Sequence, residues 1–379
     1  MSDATIYLDH NATTPIRKEV LDEMLPYLRE LFGNPSSGHR FGAAPRAAIE
    51  RARQQVALLL GCSDDEVVFT SGGTESNNLA IRGVAERAAP HRRRIVTSSI
   101  EHPATERPCA HLERNGFSVA RVGVDHDGRV RLDAARHAIH AQTTLVTVMH
   151  SNNETGVLQP IAELSAMARA HGALVHTDAA QSVGKVPINV RELPVDLLTI
   201  AGHKLYAPKG VGALYVRRGV ELAPFALGAG HERGLRPGTE NVASIVALGA
   251  ACALASHDLE SESKRQRALR DELWTRIRTS ISEAKLNGHE ELRLPNTLSV
   301  RFEGVTGTAL LAEASEIAAS TGSACHDGHE RASAVILAMG VAAERAVGTV
   351  RLTLGRGTSA SDVERAAAAL VRAYRALRG

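Results

Sequence analysis

The chain predicts an α/β protein: a mostly parallel sheet with helices on both faces, joined to a smaller α+β domain. Three observations carry this. Short apolar runs alternate with helical patterns from about residue 45 to 255, as βαβ units do. Several of these runs end in polar loops, and α/β sheets place ligands in the loops at the carboxyl ends of their strands. Near residue 255 the pattern gives way to a charged helix and then two isolated strand-like runs. The right-handed crossover rule favours a wound sheet over a meander.

In order along the chain, the apolar run 66–69 predicts a strand that turns through Ser71-Gly72-Gly73-Thr74 into a helix over 75–88. Runs 94–97 and 144–149 predict further strands, as do Ala173-Leu174-Val175 and Leu197-Leu198-Thr199-Ile200. A strand over 212–216 follows. In the smaller part the expected elements are a charged helix 258–281, strands 298–302 and 350–354, and an amphipathic helix 359–377. The expected division is a large domain, 15–255, and a small one made of 1–14 and 256–379.

Bulk properties narrow the function. A net charge of +2 gives no footprint for nucleic acid or an anionic membrane, and aromatics at 3% are too few for a base-stacking surface. No apolar run approaches the roughly 20 residues that span a bilayer, and the N-terminus lacks a signal-peptide pattern. Cys62, Cys109, Cys252 and Cys325 are widely spaced with no C-x-x-C pair. That argues for a reducing compartment, the cytoplasm, and against a disulfide framework or zinc site.

The chemistry concentrates after the strands. Asp178 lies in His176-Thr177-Asp178-Ala179-Ala180-Gln181 and Lys204 in Gly202-His203-Lys204, each behind an apolar run. A carboxylate and an amine delivered there suit pyridoxal phosphate, which needs a Schiff-base lysine and an acidic partner for its pyridine nitrogen. A structural ion pair between neighbouring strand ends would use the same two residues. Ser71-Gly72-Gly73-Thr74-Glu75-Ser76 sits where a strand becomes a helix, a setting for a phosphate cradle or for a plain capping box. A P-loop is excluded by the missing Gly-Lys-Ser/Thr ending.

Ten segments together resemble the cysteine desulfurases of the NifS/IscS type, pyridoxal phosphate enzymes of fold type I. They are Tyr7-Leu8-Asp9-His10-Asn11-Ala12-Thr13-Thr14-Pro15, Gly33-Asn34-Pro35-Ser36-Ser37, the glycine turn, Glu101-His102-Pro103, Asn152-Asn153-Glu154-Thr155-Gly156, the Asp178 and Lys204 segments, Arg236-Pro237-Gly238-Thr239-Glu240-Asn241, Gly322-Ser323-Ala324-Cys325 and Arg351-Leu352-Thr353-Leu354-Gly355-Arg356. The resemblance spans essentially the whole chain and implies a seven-stranded sheet. It implies that Lys204 holds the cofactor and then shuttles a proton, that Asp178 pairs with the pyridine nitrogen, and that His102 stacks on the ring as an acid/base group. Asn153 and Gln181 would bond the phenolic oxygen. Gly73, Thr74 and His203 would hold the phosphate, with Thr239 reaching the phosphate of a second subunit in a homodimer. Arg351, assisted by Asn34, would take the carboxylate of L-cysteine.

Cys325 separates this reaction from transamination. It stands in a small, polar, glycine-bearing stretch of a loop expected over about 319–334, whereas a structural cysteine has apolar neighbours. The resemblance implies that it takes the substrate sulfur as a persulfide and leaves alanine. No resident metal is expected; Cys325 could share a transient iron–sulfur cluster with a scaffold protein. The acceptor stays open among an iron–sulfur scaffold, tRNA-modifying proteins and a DNA phosphorothioation system. Two other readings stand beside this one: a selenocysteine lyase, which shares these motifs, and a non-catalytic sulfur-relay partner that retains the fold. The pattern departs at Ala201, where a serine usually contacts the phosphate, a loss of about 1 kcal/mol. It departs also at Ala229 and at Ala332-Ser333.

Overall fold

A computed structural model describes residues 5–321 and 332–379. Its central sheet has seven strands, in the spatial order Val67–Thr70, Gly212–Val216, Leu197–Ala201, Leu174–Asp178, Thr143–Thr147, Arg94–Ser98, Ser118–Val122. All run parallel except Gly212–Val216, which is antiparallel to both its neighbours. The sequence expectation of a mostly parallel, wound α/β sheet is met. Strand ends differ from the expected ones by at most three residues, and the helix after the glycine turn starts earlier, at Gly73–Arg87.

Every strand of the central sheet except the edge strand Ser118–Val122, which is partly exposed, is buried on both sides because both sheet faces are covered. Successive residues serve opposite faces. Val96, Val146 and Leu198 join one apolar cluster with Ile49, Val56 and Leu248 from two helices. Their neighbours Ile95, Leu145 and Leu197 join a second with Leu79, Ile81 and Cys109. A third cluster lies apart and holds Leu8, Leu273, Val300, Leu352 and Leu370. It packs on the antiparallel sheet Thr349–Thr353, Thr297–Phe302, Ala284–Leu286. The N-terminal segment joins this part through Ile6–Tyr7, which pairs with Ile317–Ala318.

The expected helix 258–281 is the second half of one 39-residue helix, Val242–Ser280. Its first half is apolar because it is buried: Ile245, Leu248, Ala251 and Cys252 pack in the large sheet's core. By length and apolarity this helix could cross a membrane, yet 61% of its apolar window is buried within the chain. The charged second half is what made a separate helix legible.

One buried ion pair ties helix Arg40–Leu60 to the segment 231–234. Arg53 donates Nη2 to Glu232 Oε1 at 2.8 Å and Nη1 to Glu232 Oε2 at 3.0 Å, and Phe69 N donates to the same carboxylate at 2.8 Å. Side-chain exposures are 8% and 3%. The pair holds Glu232 and Arg233 in left-handed backbone, φ 47° and 57°, where non-glycine residues sit only when their surroundings impose it. Glu232→Ala is expected to lower unfolding free energy by about 3–5 kcal/mol, since it leaves the buried Arg53 guanidinium only its 3.3 Å contact with the half-exposed Glu50 and its bond to Val67 O. Urea denaturation measures it; a loss below about 1 kcal/mol would mean that the pair is not holding the segment.

Candidate active site

The glycine turn shows how the site is assembled. Gly72 has φ +146°, and Gly212 on the next strand approaches so closely that a Cβ there would meet Gly72 Cα at 2.7 Å. Chain and sheet therefore meet edge to backbone, and helix Gly73–Arg87 begins directly above the sheet. The first-turn N–H groups of Gly73 and Thr74 have no acceptor within their helix and open onto a cavity of about 270 Å³, close to the lower size of small-ligand sites, ~300 Å³. Gly73, Thr74, His102, Asn153, Asp178, Gln181, His203 and Lys204 all line it. These eight residues come from the C-terminal ends of five parallel strands, and each had been singled out from the sequence.

Asp178 is the last residue of its strand and is 9% exposed. Its Oδ2 accepts from Asn77 Nδ2 at 2.7 Å and its Oδ1 from Ala180 N at 3.0 Å. Asn77, fully buried, also donates to Thr105 Oγ1 at 3.2 Å. It fixes the carboxylate's direction and was missed in the sequence. Its only sign there is a polar residue one turn inside the helix, and it shares that turn with Glu75 and Ser76, which are buried too.

Lys204 sits in a short 3₁₀ turn, Gly202–Lys204, after the strand Leu197–Ala201. Its Nζ donates to Asn11 O at 2.5 Å. Burial, with help from the Arg351 charge, lowers its pKa to about 8. At pH 7 roughly one such amine in ten is neutral, against fewer than one in a thousand for an ordinary lysine. Only the neutral amine forms a Schiff base, so the site enriches the reactive form.

His102 caps helix Pro103–Arg114: Ala104 N donates to its Nδ1 at 3.1 Å. The ring proton of the neutral form therefore lies on Nε2. Burial depresses the imidazole pKa, Asp178 opposes this and Lys204 adds to it, so the neutral ring prevails at pH 7. His203 contacts Thr13 Oγ1 through Nδ1 at 3.1 Å and is pushed down to about 4 by burial and the neighbouring lysines. Ala201 lines the cavity, its methyl 3.3 Å from where a Cβ on Gly73 would stand.

The remaining predicted residues lie elsewhere. Arg351, on strand Thr349–Thr353, is beside the cavity rather than in its wall; Nη1 donates to Asn153 O at 2.9 Å and Nη2 to Asp9 Oδ1 at 2.7 Å. Its Nε is buried and has no hydrogen-bond partner among the described residues. Asn34 is exposed and caps its own turn, accepting from Ser36 N at 2.8 Å. Thr239 is exposed too, next to Glu240, which lines a separate groove of about 800 Å³ with Pro35, Ser36 and Glu232. Cys325 lies outside the described residues. Just past that segment, Ser333 Oγ accepts from Val335 N and Ile336 N, so its hydroxyl proton goes to Glu154 Oε2.

The arrangement can bind an anion at Gly73 and Thr74, hold a ring between His102 and Asp178, and present an amine at Lys204. Residues 6–366 match the class-V aminotransferase family. A "Cysteine desulfurase IscS" of Dictyoglomus turgidum is 45% identical over 360 residues, 94% of this chain and 91% of that protein. A "Cysteine desulfurase" of Gluconacetobacter diazotrophicus is 48% identical over 364 residues, 95% and 91% of the two chains. Among solved structures, a "NifS-like protein" superposes with TM-score 0.91 at 36% identity, covering 99% of both chains. One described as SspA in complex with cysteine gives TM-score 0.83 at 37% identity, covering 92% of this chain and 99% of that one.

Proposed function

The chain belongs to the class-V aminotransferase family and is a pyridoxal phosphate-dependent cysteine desulfurase; from that premise we propose how its own residues divide the work. The observation that carries the assignment is the single cavity on which an anion-binding helix N-terminus, an amine with lowered proton affinity and a held carboxylate converge. The cofactor fits there: Asn153 lines the cavity, and among the described residues the buried Arg351 Nε has no hydrogen-bond partner.

In this reading Gly73, Thr74 and His203 hold the phosphate, and Ala201 contributes only van der Waals contact beside them. Asp178, aimed by Asn77, would pair with the pyridine nitrogen. Asn153 and Gln181 would hold the ring oxygen, and His102, with its proton on Nε2, would pack on the ring. Bound pyridoxal phosphate supplies an electron sink for the pair released at the substrate Cα. Lys204 would hold the cofactor and, as a neutral amine, would take up the substrate Cα proton. Arg351 orients the carboxylate of L-cysteine, for which a guanidinium fork is suited.

Cys325 completes the reaction. The C–S bond of the substrate breaks with its electron pair retained by carbon, which takes up a proton and becomes the methyl of alanine. The sulfur bonds to the Cys325 thiolate as a persulfide. Carbon is reduced and the cysteine sulfur oxidised, so no external oxidant is needed. The persulfide then passes to an acceptor protein, for which an iron–sulfur scaffold is the leading candidate.

We further read the enzyme as a cytoplasmic homodimer, with the division at about residue 255 separating cofactor-holding and cysteine-bearing parts. Phe32 and Phe41 support the dimer: they are 73% and 51% exposed, their rings 6.2 Å apart, and such aromatics mark interaction surfaces. They flank the segment of Asn34, Pro35 and Ser36, and the last two line the groove near Thr239. A subunit seated there would receive Thr239 at its phosphate. The test is substrate choice. Given L-cysteine and a thiol reductant, the enzyme should release alanine and sulfide in equal amounts. Strong selenide release from selenocysteine with negligible sulfide from cysteine would overturn the assignment.

A further inference from the structure

Lys185 has no place in the chemistry above, yet it is built into the site. It follows Gly184, whose φ of +73° turns the chain back behind Gln181. Its side chain is buried, 8% exposed as a residue. Its hydrogen bond goes from Nζ to Gln181 Oε1, 3.3 Å, and among the described residues no carboxylate pairs with it. The titratable groups that face it are Lys204, Arg351, His10 and His203, none of them acidic. A buried amine without an anion destabilises a fold, so a purely structural lysine is an uneconomical filler for this position.

The hydrogen bonds around it form a chain. Lys185 Nζ donates to Gln181 Oε1, Gln181 Nε2 donates to Asn11 O at 3.0 Å, and Lys204 Nζ donates to the same carbonyl. Asn11 O can only accept, which fixes the amide nitrogen of Gln181 on the Asn11 side and the amide oxygen on the Lys185 side. The second amide N–H of Gln181 is then left on the side of the cavity that Gln181 lines. Without a donor behind it, the amide could rotate and turn an acceptor toward that cavity.

We propose that Lys185 is a positioning residue for the bound cofactor: it locks the Gln181 amide so that an N–H, rather than a carbonyl oxygen, meets the ring oxygen. This rests on the cofactor reading of the site. A donor there stabilises the oxygen as an anion and so lowers the proton affinity of the adjoining link between cofactor and Lys204. Burial and the Lys204 and Arg351 charges bring the Lys185 amine down to about 7, so the role is one of donation in either protonation state rather than of fixed charge.

The test is a pH titration of the visible absorbance of the holoenzyme, without substrate. The parent's visible band establishes the cofactor independently of Lys185. Lys185→Met should raise the midpoint by about one pH unit, a tenfold gain in proton affinity, the scale of one misdirected hydrogen bond. Lys185→Gln, which keeps a donor and drops the charge, should restore the midpoint to within about twofold in proton affinity. Gln181→Ala should shift it as Lys185→Met does, and the double variant should shift no further. An unchanged midpoint in Lys185→Met overturns the proposal. So does a shift that Lys185→Gln fails to reverse, or one that adds fully to that of Gln181→Ala, because either shows charge acting without Gln181. If Lys185→Met does not fold, Lys185→Leu, which likewise places no donor behind Gln181, gives the same readings.

Discussion

Lys204→Ala is expected to lose desulfurase turnover by on the order of 10⁴- to 10⁶-fold, the scale of removing a covalent catalytic group, and to lose the visible band of lysine-bound cofactor. The chain has six lysines, and Lys18, Lys209, Lys264 and Lys285 do not line the cavity. Lys185 cannot substitute, because its amine is held behind Gln181. The variant should still fold. Asn11 O keeps its bond from Gln181 Nε2, so no buried acceptor is orphaned. The cation lost was itself one of the charges that disfavour protonation of Lys185 and His203. In the parent, the lowered Lys204 pKa sets the pH dependence of cofactor capture: the neutral amine fraction, and with it the rate of reconstitution, rises with pH and levels off above about 8 rather than above the ordinary lysine range. Stopped-flow absorbance of apo-enzyme mixed with cofactor measures both. A visible band in the variant would place the linkage on another amine, and a parent profile still rising at pH 10 would contradict the buried environment of Lys204.

How much of this was legible before the structure depends on what each residue needs from its neighbours. Asp178 and Lys204 were readable because each ends a buried strand, and strand ends in a parallel sheet converge by topology alone. The same holds for Gly73 and His102, which open helices at that edge. Asn77 and Asn11 were not assigned roles. Asn77 acts by pointing at Asp178, 101 positions further on, and Asn11 acts through a backbone carbonyl, which any residue type could supply. Lys185 is not legible in the sequence, since its meaning lies in the lack of an acid around it among the described residues, and periodicity carries no information on that. The split of helix Val242–Ser280 into an apolar and a charged half hid its continuity for a similar reason. Composition reports the surroundings of each half, one in the core of the large sheet and the other along the smaller part, and not the backbone that joins them.

Cys325→Ser should bind cofactor and L-cysteine as the parent does, and yet form no persulfide. The first expectation follows from the residues assigned to the cofactor: Gly73, Thr74, His102, Asn153, Asp178, Gln181, His203 and Lys204 line the cavity and are all retained in the variant, so the visible band and its pH midpoint should be unchanged. The second follows from what the other thiols can do. The attacking group must be a thiolate. Burial pushes Cys62, Cys109 and Cys252 each up to about 12, with the carboxylates around Cys62 and Cys109 adding to it. At pH 7 roughly one in 10⁵ of such thiols is ionised, and Cys109 and Cys252 are closed to solvent besides. No second nucleophile is therefore available, whereas serine at 325 is far too weak a nucleophile at its ordinary proton affinity. Peptide mass spectrometry after a single turnover should find one added sulfur atom on the Cys325 peptide of the parent and none on any peptide of the variant. Persulfide on Cys62, Cys109 or Cys252 of the parent, or sulfide release by the variant at the parent's rate, would remove Cys325 from the mechanism and leave the pyridoxal site working through an acceptor yet to be named.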